Sequence, residues 1–185
     1  ETAEEAGEEG EEEGEEGDAP PPLDLRTIGV RYEVVTNKGH GDCLPYAVDQ
    51  GVNGTTASHA KRAAALRDEI ADWLDDNRNE TVDDLGTVED LVMSDSVSLR
   101  RLGFEGSTFD EYIAWIRVPG HHLGAEELRV LALLKQRYIV VVRRQQSGQW
   151  AQQDEYGEAS HELLLLKHSG GGRGGHYEWL RPLAR

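Results

Sequence analysis

Cys43 is the only cysteine in the 185-residue chain. It stands where the turn Gly39-His40-Gly41-Asp42 gives way to the apolar run Leu44 to Val48. A thiol attacks only as its thiolate, and the unpaired N–H groups of a helix N-terminus favour that form, as does a nearby imidazole. Gly39 and Gly41 let the backbone turn sharply, so the N–H groups of about Gly41 to Cys43 can point at a developing oxyanion. The base for such a thiol is a histidine distant in sequence, held by a third polar group. Of the seven histidines, His176 is the best placed, because it opens a strand-like segment directly after a glycine-rich loop. Glu178, two residues on, projects from the same face of that strand. A carboxylate there can hold the imidazole in the useful tautomer. On composition alone, however, a lone cysteine is more often a small buried hydrophobe.

Other polar candidates are weaker. His40 reads as a loop residue. His121 and His122 are adjacent, and neighbours rarely chelate one ion; no Cys or carboxylate partner has ligand spacing, so a surface turn is expected. The glycines of Ser169–Gly175 are followed by neither a helix nor the Lys-Ser/Thr of a phosphate loop. They suit a pliable loop beside His176, one that orders over a substrate tail.

Several elements must position these groups. "GVRYEVVTN", Gly29 to Asn37, is rich in β-branched and aromatic residues and predicts a strand. The Lys38–Asp42 turn delivers Cys43 to a short helix, with Pro45 tolerated in its first turn. A long helix is expected over about Thr56 to Asn77, with Leu66, Ile70, Trp73 and Leu74 on one stripe. Asp83–Asp95 predicts a short helix. Thr108 and Glu111 form a capping-box pattern before Tyr112 to Ile116. Gly124 to Arg137 is an amphipathic helix that runs into a buried strand, Tyr138 to Val142. A Ser147–Gly148 turn and a polar stretch follow. His161 to His168 and His176 to Leu180 predict the closing strands, with Trp73, Trp115, Trp179 and Leu163–Leu166 in the core. The pattern is an α/β or α+β layer fold around a central sheet.

Charge is unevenly spread. Residues 1–18 carry ten Glu and one Asp, which supply 11 of the 17 net negative charges. Such a segment has little to bury and repels itself. With the Pro-rich boundary Asp18–Asp24 it reads as a disordered leader over residues 1–24, followed by one domain over 25–185. The remainder is mildly acidic and has no clustered basic face for nucleic acid. No apolar run approaches the roughly 18 residues of a membrane helix. The lack of a cysteine framework fits a reducing intracellular compartment, with the cytoplasm as the expectation. A monomer is expected, and a missing initiator Met suggests a fragment of a longer chain.

"GHGDCLPYAV" resembles the nucleophile motif D-G-N-C-L-F-x-A of the ovarian-tumour (OTU) cysteine protease family. "GHHLGAEELRVLALLKQRYIVVV", Gly120 to Val142, is similar to that family's E-L-containing helix and following I-x-V strand. "LLLLKHSGGGRGGHYEWL", Leu163 to Leu180, is similar to its closing strand and G-x-H-Y-x-x-L segment. The helix carrying Leu66 and Trp73 sits where the family has an L-R-x-x-x-x-x-W-like helix. The resemblance covers about Ile28 to Leu183. It implies a papain-like fold with a central mixed β-sheet packed between helices, and a deubiquitinase acting on ubiquitin, polyubiquitin or a ubiquitin-like protein.

By the same resemblance, Cys43 is the nucleophile, His176 its base, and Glu178 the orienting group at a position where the family more often has Asp or Asn. His40, Gly41 and Asp42 form the oxyanion loop, and no metal or cofactor is implied. His40 replaces the family's Asp, Asp42 its Asn, Pro45 its Phe and Leu123 its Trp. Asp42 is expected to turn its charge away from the thiol. A polyprotein or mobile-element processing protease, or an inactive ubiquitin-binding module, are the alternatives.

Overall fold

The computed structural model describes residues 23–82, 85–170 and 175–184. The acidic leader up to residue 22, Asp83–Asp84, residues 171–174 of the glycine-rich loop and Arg185 lie outside them. Seven helices and five strands follow in the order α1 (Ile28–Arg31), β1 (Tyr32–Val35), α2 (Cys43–Asn53), α3 (Ala60–Asp76), α4 (Val88–Ser94), α5 (Ser96–Leu102), α6 (Phe109–Arg117), α7 (Ala125–Lys135), β2 (Arg137–Arg144), β3 (Trp150–Tyr156), β4 (Glu162–Ser169) and β5 (His176–Pro182) among the described residues.

The strands form one sheet of order β1-β5-β4-β2-β3. β2 and β4 run parallel, and the other pairs are antiparallel, so the sheet is mixed. Alternation along the strands makes two cores. Ile139, Val141, Leu164, Leu166, Tyr177 and Trp179 face the helices and join Leu44, Ile70, Ile116 and Leu131 in the larger core. Val140, Val142, Leu165 and Leu180 face the other way and enclose Ile28, with Leu25 and Trp150 packed against them. Each such fully buried aliphatic side chain contributes about 1.5–3 kcal/mol relative to exposure. The Glu127 carboxylate is buried at the start of α7, where it accepts from the Gly124 N–H at 2.6 Å and from the Tyr112 hydroxyl. Burial pushes its carboxyl above the ordinary range.

Four expectations need correction. Gly29–Arg31, expected at the start of the first strand, belong instead to α1: the Asp24 side chain accepts from the Arg26 N–H at 3.1 Å, starts a single turn, and lets Ile28 enter the smaller core at 0% exposure. The polar stretch after Gly148 is the edge strand β3, paired with β2. An edge strand whose middle, Gln152 to Glu155, is exposed on both faces needs no apolar alternation there, and its charges discourage further pairing. α5 was not foreseen; it follows α4 after a single residue, Asp95, whose side chain caps it by accepting from the Ser98 N–H at 3.0 Å. Leu163 is exposed rather than core.

Elsewhere the local rules hold. Thr108 and Glu111 form the expected capping box of α6, and Thr87 and Asp90 form another for α4.

Candidate active site

The turn before Cys43 is unusual backbone. Gly39, His40 and Gly41 all have positive φ, at 66°, 58° and 85°. Glycine accepts this freely, whereas a side chain such as that of His40 costs about 1–2 kcal/mol there. The turn closes when the Asp42 N–H donates to the Gly39 carbonyl at 3.3 Å. That N–H is therefore committed, and of the three amides expected to face an oxyanion, those of Gly41 and Cys43 are outside this bond. His40 itself is exposed.

A buried arginine holds the turn in place. Arg67 of α3 is 0% exposed. Its Nε and Nη2 meet Asp42 Oδ1 at 2.8 and 2.6 Å, and Nη2 also donates to the Gly41 carbonyl at 3.1 Å. The same guanidinium donates to the carbonyls of Ile116 and His121. One side chain thus clamps the cysteine turn to the segment that leaves α6. Asp42 Oδ1 accepts in addition from the Gly120 N–H at 3.0 Å. The Asp42 carboxylate is spent on Arg67 and Gly120. The two segments touch so closely that a Cβ on Gly41 would lie 1.8 Å from the Gly120 carbonyl oxygen. His121 completes the corner: its ring stacks on Trp115 with centroids 4.8 Å apart, and its Nδ1 bonds the Trp115 carbonyl at 2.8 Å.

Asn37 ties the cysteine turn to β5. Its Oδ1 accepts from the Gly39 N–H at 3.0 Å, and its Nδ2 donates to the carbonyls of Cys43 at 3.2 Å and Tyr177 at 2.8 Å. This brings His176, at the head of β5, against the turn: a Cβ on Gly39 would stand 3.2 Å from His176 Cε1 and 3.4 Å from its Nδ1. On the other side, His176 Nε2 is 3.8 Å from Glu178 Oε1. The imidazole therefore lies between the cysteine turn and a carboxylate, with Nδ1 toward the turn and Nε2 toward Glu178. Glu178 is buried, and its other oxygen, Oε2, is 2.6 Å from Lys167 Nζ on β4.

Cys43 opens α2 and is 3% exposed. Burial pushes its thiol up, more than the backbone amides of Tyr177, Leu44 and Cys43 itself draw it down; the Asp42 charge adds a little to the upward push. The helix start is thus present, but desolvation outweighs it in the unliganded site. The consequence is measurable. At pH 7.5 Cys43 in the native protein will be alkylated by iodoacetamide more slowly than a cysteine in an unstructured peptide. The rate will climb as pH rises past the ordinary thiol range. Faster labelling than the peptide at neutral pH would show a preformed thiolate instead.

A cleft of about 590 Å³ opens between α5, the start of α7 and the residues flanking the end of β4 and the start of β5; Leu99, Arg101, Glu126, His168, Gly175 and Tyr177 are among its lining, whereas Cys43, His176 and Glu178 are not. Among the described residues no group of three or more His, Cys, Asp or Glu is gathered to hold a metal ion.

Three residues of this site escaped the sequence reading. Arg67 carried a signal: it falls within the buried face of α3 made by Ala63, Leu66, Ile70, Ala71 and Leu74. An arginine on an apolar stripe is rarely buried unless paired. Asn37 reads in sequence only as the last residue of the Gly29–Asn37 strand, and Lys167 only as part of the His161–His168 strand.

The family model described as OTU-like cysteine protease matches residues 38–177. No curated protein sequence matches the chain. Among solved structures, the Hazara virus OTU bound to ubiquitin superposes with a TM-score of 0.62 at 19% identity, covering 85% of this chain and 86% of that one. The OTU domain of OTUD1 does so with 0.56 at 15%, covering 84% and 88%. The Taggert virus OTU domain protease gives 0.56 at 16%, covering 89% and 87%.

Proposed function

The chain belongs to the OTU-like cysteine protease family, and from that premise we propose that it is a deubiquitinase working through Cys43, His176 and Glu178. The observation that carries this reading is the place of the His176 ring, with Nδ1 on the side of the Gly39–Cys43 turn and Nε2 3.8 Å from the Glu178 carboxylate. Support for ubiquitin as substrate comes from relatives of the same fold solved with ubiquitin bound.

His176 Nδ1 takes the Cys43 proton as the sulfur attacks the carbonyl carbon of the terminal glycine. The oxyanion is met by the N–H groups of Gly41 and Cys43. The imidazolium, stabilised by Glu178, then gives its proton to the leaving lysine amine or peptide nitrogen, and a thioester remains. Water, deprotonated by His176, attacks the thioester and releases a ubiquitin carboxylate and the Cys43 thiol.

A ubiquitin probe carrying a C-terminal electrophile tests this directly. Wild type will form a covalent adduct and Cys43→Ala will not. Absence of an adduct across pH 6 to 9 would sink the enzyme reading. Ubiquitin binding without labelling would make the domain a binding module.

A further inference from the structure

Glu178 makes its short contact not with His176 but with Lys167, at 2.6 Å against 3.8 Å. The two residues face each other directly in the antiparallel β4–β5 register. By strand alternation they share the sheet face of Leu165 and Leu180, and Lys167 pairs across β2 with Val142, itself 0% exposed. Glu178 is thus a carboxylate largely removed from water, in surroundings that oppose its charge unless a partner compensates. Glutamate also has three rotatable side-chain bonds, whose freedom must be restrained if one oxygen is to stay beside an imidazole.

We infer that Lys167 is a positioning residue for the reaction: it holds Glu178 by Oε2, so that Oε1 is kept beside His176 Nε2. The ammonium sets an opposite charge 2.6 Å from the buried carboxylate, and the cross-strand geometry limits its rotamers. Each oxygen then has its own partner, one structural and one catalytic. This division of labour rests on the assignment of His176 as base. It adds a fourth residue to the constellation, from a different strand.

Steady-state cleavage of a fluorogenic ubiquitin substrate tests it. Lys167→Met will lower kcat ~10-fold, the scale expected when a supporting group lets a catalytic group drift by a fraction of an ångström, with KM changed less than about twofold. Lys167→Arg will recover most of the rate. In a Glu178→Gln background, Lys167→Met will add no further loss, because the effect runs through the carboxylate. An unchanged or raised kcat in Lys167→Met, or an equal loss in both backgrounds, overturns the proposal. If Lys167→Met does not fold, Lys167→Gln replaces it under the same criteria.

Alkylation of Cys43 by chloroacetamide at pH 8.5 separates this idea from the choice of substrate. Its rate will fall in Lys167→Met and recover in Lys167→Arg, even in a protein that does not cleave ubiquitin. Equal alkylation rates in all three proteins would also overturn the role of Lys167.

Discussion

Arg67→Ala will lower the unfolding free energy by about 3–5 kcal/mol, the cost of leaving a buried ion-pair partner without its counter-charge, and will abolish probe labelling. The argument starts from burial. Arg67 is 0% exposed, and its guanidinium serves Asp42, Gly41, Ile116 and His121 together. Truncation removes every donor at once. It strands three carbonyls and the Asp42 carboxylate, and opens a void between α3 and the α6–α7 connection. The Asp42 charge would then lie uncompensated next to Cys43. Arg67→Lys keeps a charge but not the planar fork, so it will recover part of the stability and little of the activity. Denaturant unfolding followed by tryptophan fluorescence, with labelling measured on the folded fraction, checks both statements. A variant as stable as wild type would refute the clamp.

Gly41→Ala carries the second large effect, and its signature is different. Two penalties meet at this position: φ of 85°, and a Cβ placed 1.8 Å from the Gly120 carbonyl oxygen. Backbone cannot yield as a side-chain tip can, so the cysteine turn must move off the α6–α7 connection. Turnover will fall by ~100-fold or more, because displacement near 1 Å of a reacting group is that costly. The loss of stability will be smaller, about 1–3 kcal/mol. Gly54 is the matched control. It also has positive φ, 62°, but a Cβ there meets nothing within 4 Å. Gly54→Ala pays the conformational cost alone, on the order of 1 kcal/mol, with kcat unaffected. Equal kinetic losses in the two variants would remove the close contact from the explanation.

The site was readable in sequence where it depends on local rules. The start of α2 at Cys43 follows from the glycine turn, and the start of α6 from the Thr108/Glu111 box. The strand ahead of Cys43 was read too long, because β-branched content says nothing about which core Ile28 will enter. β3 stayed hidden because an edge strand lacks the alternation that marks a half-buried one. The grouping of Cys43, His176 and Glu178 was reached through resemblance as well as residue type; periodicity places His176 and Glu178 on one face and cannot bring either to Cys43.

What sequence alone determined is therefore the set of parts: a thiol at a helix start, a turn that only glycines build easily, and a histidine and carboxylate in phase on one strand. These depend on φ/ψ preference and on periods of 3.6 and 2, which act over a few residues. Tertiary structure decided the partners and the electrostatics. Arg67 reaches Asp42 across 25 residues of chain and Asn37 reaches Tyr177 across 140. Lys167 meets Glu178 through the β4–β5 register. Burial reversed the expected effect of the helix start on the Cys43 thiol. Solvent exclusion and long-range charge pairing are properties of the packed chain, and no short window of sequence contains them.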